Sequence, residues 1–275
     1  KKQTNKTNWI QQEKHLSSFF LLSMTFLESL EADLRQMANE TKKKLPKAKE
    51  SIERIIMKFR ELEALPHERI CAEFPMESVM DVLISCAELK SARIGCSLLG
   101  CLQKIISQDV RYQPVGDRIL SMLKSLCDMN DEQLSLKILQ TVLTGLHPSK
   151  VNLEANFIRG IFEVALRLQF TKHQNVNSTS LATLTQLINV VFEKFEDAVE
   201  ASEFLKEAEG NKYINLVEFQ EKYHLPDSIC QSEVYSAAIT LFEILIELSD
   251  GKCKMAPDST ASRKLGIDFV NMALA

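Results

Sequence analysis

Glycine and proline are scarce in this chain, at 8 and 7 of 275 residues. Sheet proteins need more of both, because tight turns call for residues that tolerate or preset unusual backbone angles. Clusters of β-branched residues are also few. These shortages disfavour a sheet protein and leave an all-α chain with short connections. No glycine-rich phosphate loop occurs. No nucleophile elbow is present, and Ser/His/Asp combinations can be drawn only by free choice.

Cysteine is present, but not in the patterns that give it chemistry. The seven are Cys71, Cys86, Cys96, Cys101, Cys127, Cys230 and Cys253. The number is odd, no CxxC pair occurs, and most have apolar neighbours. Buried thiols in a reducing compartment fit better than a disulfide framework. Cys96 and Cys101 lie five apart, on different faces of a helix, which disfavours a metal or redox pair. His15, His67, His147, His173 and His224 are scattered, without metal-ligand spacing. Glu31/Asp33 and Glu196/Asp197 are carboxylate pairs on polar helix faces, read as solvated rather than as acid–base pairs. The expectation is no catalytic residue, no metal and no cofactor.

Charge of one sign is lacking too. The net charge is −4, so there is no global basic field and nucleic acid is not an expected partner. The hydrophobic share of 45% and charged share of 25% are those of a globular protein. The apolar stretch over 16–30 is shorter than the roughly 20 apolar residues a bilayer crossing requires. Lysines precede it, as in a signal peptide, but no small-residue cleavage pattern follows, and Glu28, Glu31 and Asp33 arrive at once. It reads as a helix that docks on the body or on another copy, behind a polar tail over 1–15. Both ends read as cut from something longer.

What the sequence does contain is helical periodicity. In the stretch Asn177–Phe195, Leu181, Leu184, Leu187, Ile188, Val191, Phe192 and Phe195 recur at helical spacing, with Asn177 or Ser178 placed to cap the start. So broad a stripe, with two aromatics, needs partners on more than one side. Helices are expected over 24–44 and 47–65, then in pairs: 75–88 with 91–107, 115–128 with 131–146, and 153–170 with 176–195. Each pair takes about 40 residues, the period of armadillo or HEAT repeats, and no pair alone could bury its apolar faces. Short breaks at Lys90-Ser91, Asn130-Asp131 and His147-Pro148-Ser149 punctuate them. Residues 196–227 are acidic and broken by Gly210-Asn211 and Pro226-Asp227. Strong periodicity resumes over 232–249, and Ser259 or Thr260 opens a last helix.

Two surface features are candidates for binding. Gln103 and Lys104 lie on a helix expected to be partly exposed, where a partner contact competes with an ordinary solvated edge. Lys42, Lys43, Lys44, Lys47 and Lys49 form the one concentrated basic patch. Beside the apolar run it suits an anionic membrane surface, at about 1 kcal/mol per basic residue. The same lysines suit a helix C-terminus better, where cations complement the dipole.

Several segments, in one order, resemble one family. They are Glu40-Thr41-Lys42-Lys43-Lys44-Leu45-Pro46-Lys47-Ala48-Lys49-Glu50, Ile84-Ser85-Cys86, Cys101-Leu102-Gln103-Lys104 and Leu136-Lys137-Ile138-Leu139-Gln140-Thr141-Val142-Leu143. Leu166-Arg167-Leu168-Gln169-Phe170-Thr171-Lys172, followed by the Asn177–Phe195 helix, carries the most. Together, over Leu27–Phe195, they are similar to the dimerisation and cyclophilin-binding (DCB) domain shared by the Mon-two family and the large Arf guanine-nucleotide-exchange factors. The triple lysine and Phe170-Thr171-Lys172 favour the Mon-two branch. Ser232 onward resembles the start of the next domain, homology-upstream-of-the-catalytic-domain (HUS), although its Asn-aromatic-Asp-Cys box is absent.

The resemblance implies an armadillo/HEAT-like right-handed α-solenoid. It divides the chain into a lead-in over 1–23, a DCB-like domain over 24–197, a linker over 198–230 and the beginning of a HUS-like domain over 231–275. It implies a non-enzymatic, cytoplasmic scaffold, peripheral on trans-Golgi and endosome membranes. The implied partners are a Dopey-family protein and an aminophospholipid flippase, and the apolar N-terminal helix suggests a further copy of the chain as well. An Arf-like GTPase docks in exchange-factor relatives near the position matching Lys104. The regulatory N-terminal region of an exchange factor, or an unrelated armadillo adaptor, are the alternatives.

Overall fold

The computed structural model describes residues 25–108, 115–146, 154–200 and 230–274. The polar tail, the apolar run up to residue 24 and the acidic excursion over 201–229 lie outside the described residues. Among the described residues there are eleven α-helices and no strand. They are α1 over 25–41, α2 Pro46–Leu62, α3 His67–Glu73, α4 Met76–Ala87, α5 Ala92–Ser107 and α6 Gly116–Cys127. There follow α7 Glu132–Gly145, α8 Ala155–Gln169, α9 Gln174–Glu200, α10 Glu233–Ser249 and α11 Thr260–Ala273. The chain forms two compact units, Lys1–Gly145 and Leu146–Ala275.

In the first unit the repeat is exact in its buried positions. Val79, Met80, Val82, Leu83 and Cys86 of α4 recur forty residues on as Ile119, Leu120, Met122, Leu123 and Leu126 of α6. Leu98, Leu99, Cys101 and Leu102 of α5 likewise recur as Ile138, Leu139, Thr141 and Val142 of α7. The turns repeat too: Lys90 and Asn130, with φ of 49° and 51°, are the only non-glycine residues with positive φ among those described. Each ends a helix in the left-handed conformation that reverses the chain. α4 packs on α6 and α5 on α7, so each hairpin completes the apolar face of its neighbour.

The first hairpin runs the other way. Arg93, early in α5, pairs with Glu40 near the end of α1 at 2.9 Å, and Lys104, late in α5, pairs with Asp33 at 2.6 Å. α1 is therefore antiparallel to α5. By contrast Arg118, early in α6, reaches Glu77 and Asp81, early in α4, each at 2.5 Å, which makes α4 and α6 parallel. The α1–α2 hairpin thus meets the stack reversed. Phe26, Phe59 and Phe74 seal the α1–α2 end, with ring centroids 6.0 Å and 5.5 Å apart. Pro46 opens α2 in its first turn, where its missing N–H costs nothing.

In the second unit α8 packs on α9 and α10, and α9 also meets α10 and α11. The α9 stripe has partners on two sides from Leu184 onward, whereas Leu181, expected in the stripe, is exposed. Ser180 donates to the Ala165 carbonyl of α8 at 2.6 Å. Phe192 meets Phe242, and Phe195 meets Tyr235, on α10. α9 begins at Gln174, so Asn177 lies within the helix and does not cap it; its Oδ1 accepts from the Thr171 hydroxyl at 3.0 Å. α9 also runs past Phe195 to Glu200, over residues that are half-buried or exposed. The short α3 was not marked by periodicity, being only 7 residues long. Ser232 and Ser259 cap α10 and α11, each accepting a backbone N–H at 3.2 Å.

α10 and α11 cross closely at Gly266, where an added Cβ would lie 2.4 Å from the backbone nitrogen of Ser249. Backbone cannot yield as a side chain does. Gly266→Ala is expected to destabilise by about 1–3 kcal/mol in urea unfolding. Gly100→Ala, with nothing within 4 Å of the new carbon, should stabilise by up to about 1 kcal/mol.

Candidate functional site

α1, α5 and α7 enclose a groove of about 480 Å³ on the first unit, lined among others by Phe26, Ser29, Gln103, Lys104 and Lys137. Gln103 and Lys104 reach it because they follow the buried Leu102 on α5, on the side of the helix turned from the core. Both are half-buried, and both are held. Gln103 Nε2 donates to Thr141 Oγ1 at 3.0 Å and to the Lys137 carbonyl at 3.4 Å, which ties α5 to α7. Lys104 Nζ pairs with Asp33 at 2.6 Å and donates to Ser29 Oγ at 2.7 Å, which ties α5 to α1. The side chains of Lys104 and Asp33 remain 36% and 31% exposed, so the ammonium is anchored yet within reach of a partner.

Sequence reasoning missed Ser29 and Asp33. The spacing held the signal: four residues apart, they share one face of α1. Glu31 and Asp33 are not a solvated pair. Two residues apart, they point to different sides, Glu31 to Arg35 at 2.7 Å and Asp33 to Lys104. Glu196 and Asp197 are exposed.

The nearby thiols are inert. Burial pushes Cys101 up to about 12, with the Asp33 charge adding to the shift, and pushes Cys86 up to about 11. Both stay protonated at neutral pH, so neither supplies a thiolate nucleophile. Among the described residues no three His, Cys, Asp or Glu side chains converge as metal ligands.

The lysine patch lies elsewhere. Lys42, Lys43 and Lys44 form the exposed turn between α1 and α2, and Lys47 and Lys49 stand exposed on the first turn of α2. Lys49 pairs with Glu53 at 3.6 Å. No helix among the described residues is long and apolar enough to cross a membrane.

The family model of the Mon2/Sec7/BIG1-like dimerisation and cyclophilin-binding domain, DCB, matches residues 22–198. The chain belongs to the DCB family. The human Protein MON2 homolog is 34% identical over 170 residues, 61% of this chain and 10% of the relative. Its Xenopus laevis counterpart is 33% identical over 183 residues, 63% of this chain and 10% of the relative. The Drosophila melanogaster counterpart is 30% identical over 169 residues, 62% of this chain and 10% of the relative. The chain thus spans about a tenth of the length of the curated relatives it matches. No solved structure matches it. The DCB match covers α1 to α9, and its end does not coincide with the division between the compact units. α10 and α11 follow it and pack within the second unit on DCB helices, with Phe269 edge-on to Phe162 at 6.5 Å.

The Lys104–Asp33 tie is testable by a double-mutant cycle. Half-exposed, it should show a coupling of about 0.5–1 kcal/mol between Lys104→Met and Asp33→Asn in urea unfolding, shrinking at high salt.

Proposed function

We propose that this chain is part of a non-enzymatic scaffold in membrane trafficking between the trans-Golgi and endosomes, held peripherally on those membranes from the cytoplasmic side. DCB membership, with relatives named MON2 homologs, is the observation that carries this reading. The family description names dimerisation and cyclophilin binding, which supports self-association here. A Dopey-family protein, an aminophospholipid flippase and an Arf-like GTPase are the partners that the resemblance suggests. In this reading 24–197 is the DCB domain and 231–275 opens a HUS-like domain.

The groove beside Gln103 and Lys104 is the proposed seat of a protein partner. Its lining sets Phe26 beside Gln103, Lys104 and Lys137, so an apolar contact is flanked by amide and ammonium donors that suit carbonyl and carboxylate groups of a partner. GTP-loaded Arf-like GTPase should be retained by this chain in a pull-down. Lys104→Glu and Lys137→Glu should each reduce retention severalfold, the second without touching α1. Unchanged retention with both variants removes the groove from the interface.

The lysine turn is the proposed membrane contact. The chain should float with vesicles containing an anionic phosphoinositide. Joint replacement of Lys42, Lys43 and Lys44 by Ala should weaken flotation by about two orders of magnitude, taking about 1 kcal/mol per basic residue. Flotation that survives the replacement dismisses that contact.

A further inference from the structure

Charge in this chain is strongly segregated. Residues 42–60 hold eight Lys and Arg against two Glu, a net of +6, so the remaining residues carry −10 to reach the chain's −4. Much of that positive charge lies beside a second groove, on the layer formed by α2 and α4 rather than the one that carries Gln103 and Lys104. The groove holds about 570 Å³. Lys47, Arg54 and Lys58 form its α2 wall, at the spacing that puts them on one side of a helix. None of the three forms an ion pair among the described residues; Arg54 donates only to Ser51 at 3.1 Å. The α4 wall bears Asp81 and Glu88, and Asp81 shares the guanidinium of Arg118 with Glu77. Ile55 and Val82 form an apolar floor between the walls. The short side chains of Ser51, Ser78 and Ser85 keep the channel open.

We propose that the α2–α4 groove docks an amphipathic helix of a partner protein, with its acidic flank against Lys47, Arg54 and Lys58 and its apolar edge on Ile55 and Val82. A helix can lay a ridge of side chains into the groove between two other helices. A flat bilayer does not reach a recessed floor, and Glu88 and the exposed Glu77 on the α4 side would face anionic headgroups with like charge. Three unpaired cations in a row call for carboxylates spaced along a helix flank. This site is separate from the membrane contact proposed above: Arg54 and Lys58 belong to the groove, and Lys42 to Lys44 to the turn.

The test uses the chain of 275 residues and fluorescence anisotropy with a labelled peptide of about five helical turns. The peptide carries an Ala/Leu stripe and a flank of Glu. One control replaces Glu with Lys; another scrambles the order at constant composition. The Glu-flanked helix should bind about tenfold or more tighter than either control, and more weakly as salt rises. Arg54→Glu with Lys58→Glu should weaken it by about tenfold or more. Ser85→Trp, which fills the channel without altering charge, should also weaken it, with unchanged circular dichroism for both variants. Neither should change flotation with phosphoinositide vesicles. Equal binding of the scrambled peptide, or binding indifferent to the charge reversal and to Ser85→Trp, overturns the proposal. So does loss of flotation with peptide binding intact, which would make this face a lipid surface.

Discussion

The first unit depends on the stacking of α4 on α6 and α5 on α7. A single helical hairpin has two apolar edges and can bury only the seam between its own helices. Leu98, Leu99, Ile138 and Leu139 are fully buried because a neighbouring hairpin closes over what each pair leaves open. At about 25 cal/mol per Å² of apolar surface removed from water, this shared burial far exceeds any single polar contact in the unit. In the second unit α8, α9 and α10 close over one another, and a backbone approach at Gly266 admits no other residue without a shift.

Polar groups act at the edges of this apolar frame. Lys104 with Asp33, Gln103 with Thr141, and Arg118 with Glu77 and Asp81 each join two helices that are distant in sequence. Partly exposed, they contribute little to stability. What they leave is a surface with distinct sides. One layer presents an amide, an anchored ammonium and an aromatic ring around a groove. The other presents a row of cations along α2. A scaffold needs such differences, because recognition by stacked helices comes from side chains on a frame that is otherwise uniform.

Most of this frame was legible in the sequence. The forty-residue spacing emerged from periodicity alone, and the breaks at Lys90 and Asn130 are the turns where the backbone adopts positive φ. Ser259 marked the start of α11 by its capping side chain. The start of α9 was not legible: Asn177 offers a capping side chain, yet the chain enters the helix earlier, at Gln174. The partners of Lys104 were beyond reach for a different reason. Asp33 lies 71 residues away from it, and periodicity says which face a residue occupies but not which helix covers that face. The reversed direction of the α1–α2 hairpin was hidden for the same reason.

The matched burial of successive hairpins has a cost in uniqueness. If α4–α5 and α6–α7 present nearly interchangeable apolar faces, hydrophobic contact alone hardly distinguishes the native order from one displaced by a whole repeat. The guanidinium of Arg118 finds Glu77 and Asp81 only when α6 lies next to α4, and Gln103 finds Thr141 only when α7 lies next to α5. Displaced, these partly exposed groups would turn to water instead, at a loss of about 1 kcal/mol or less each. The few polar bridges between successive hairpins therefore add a small bias toward the native order in a stack whose apolar faces would accept several.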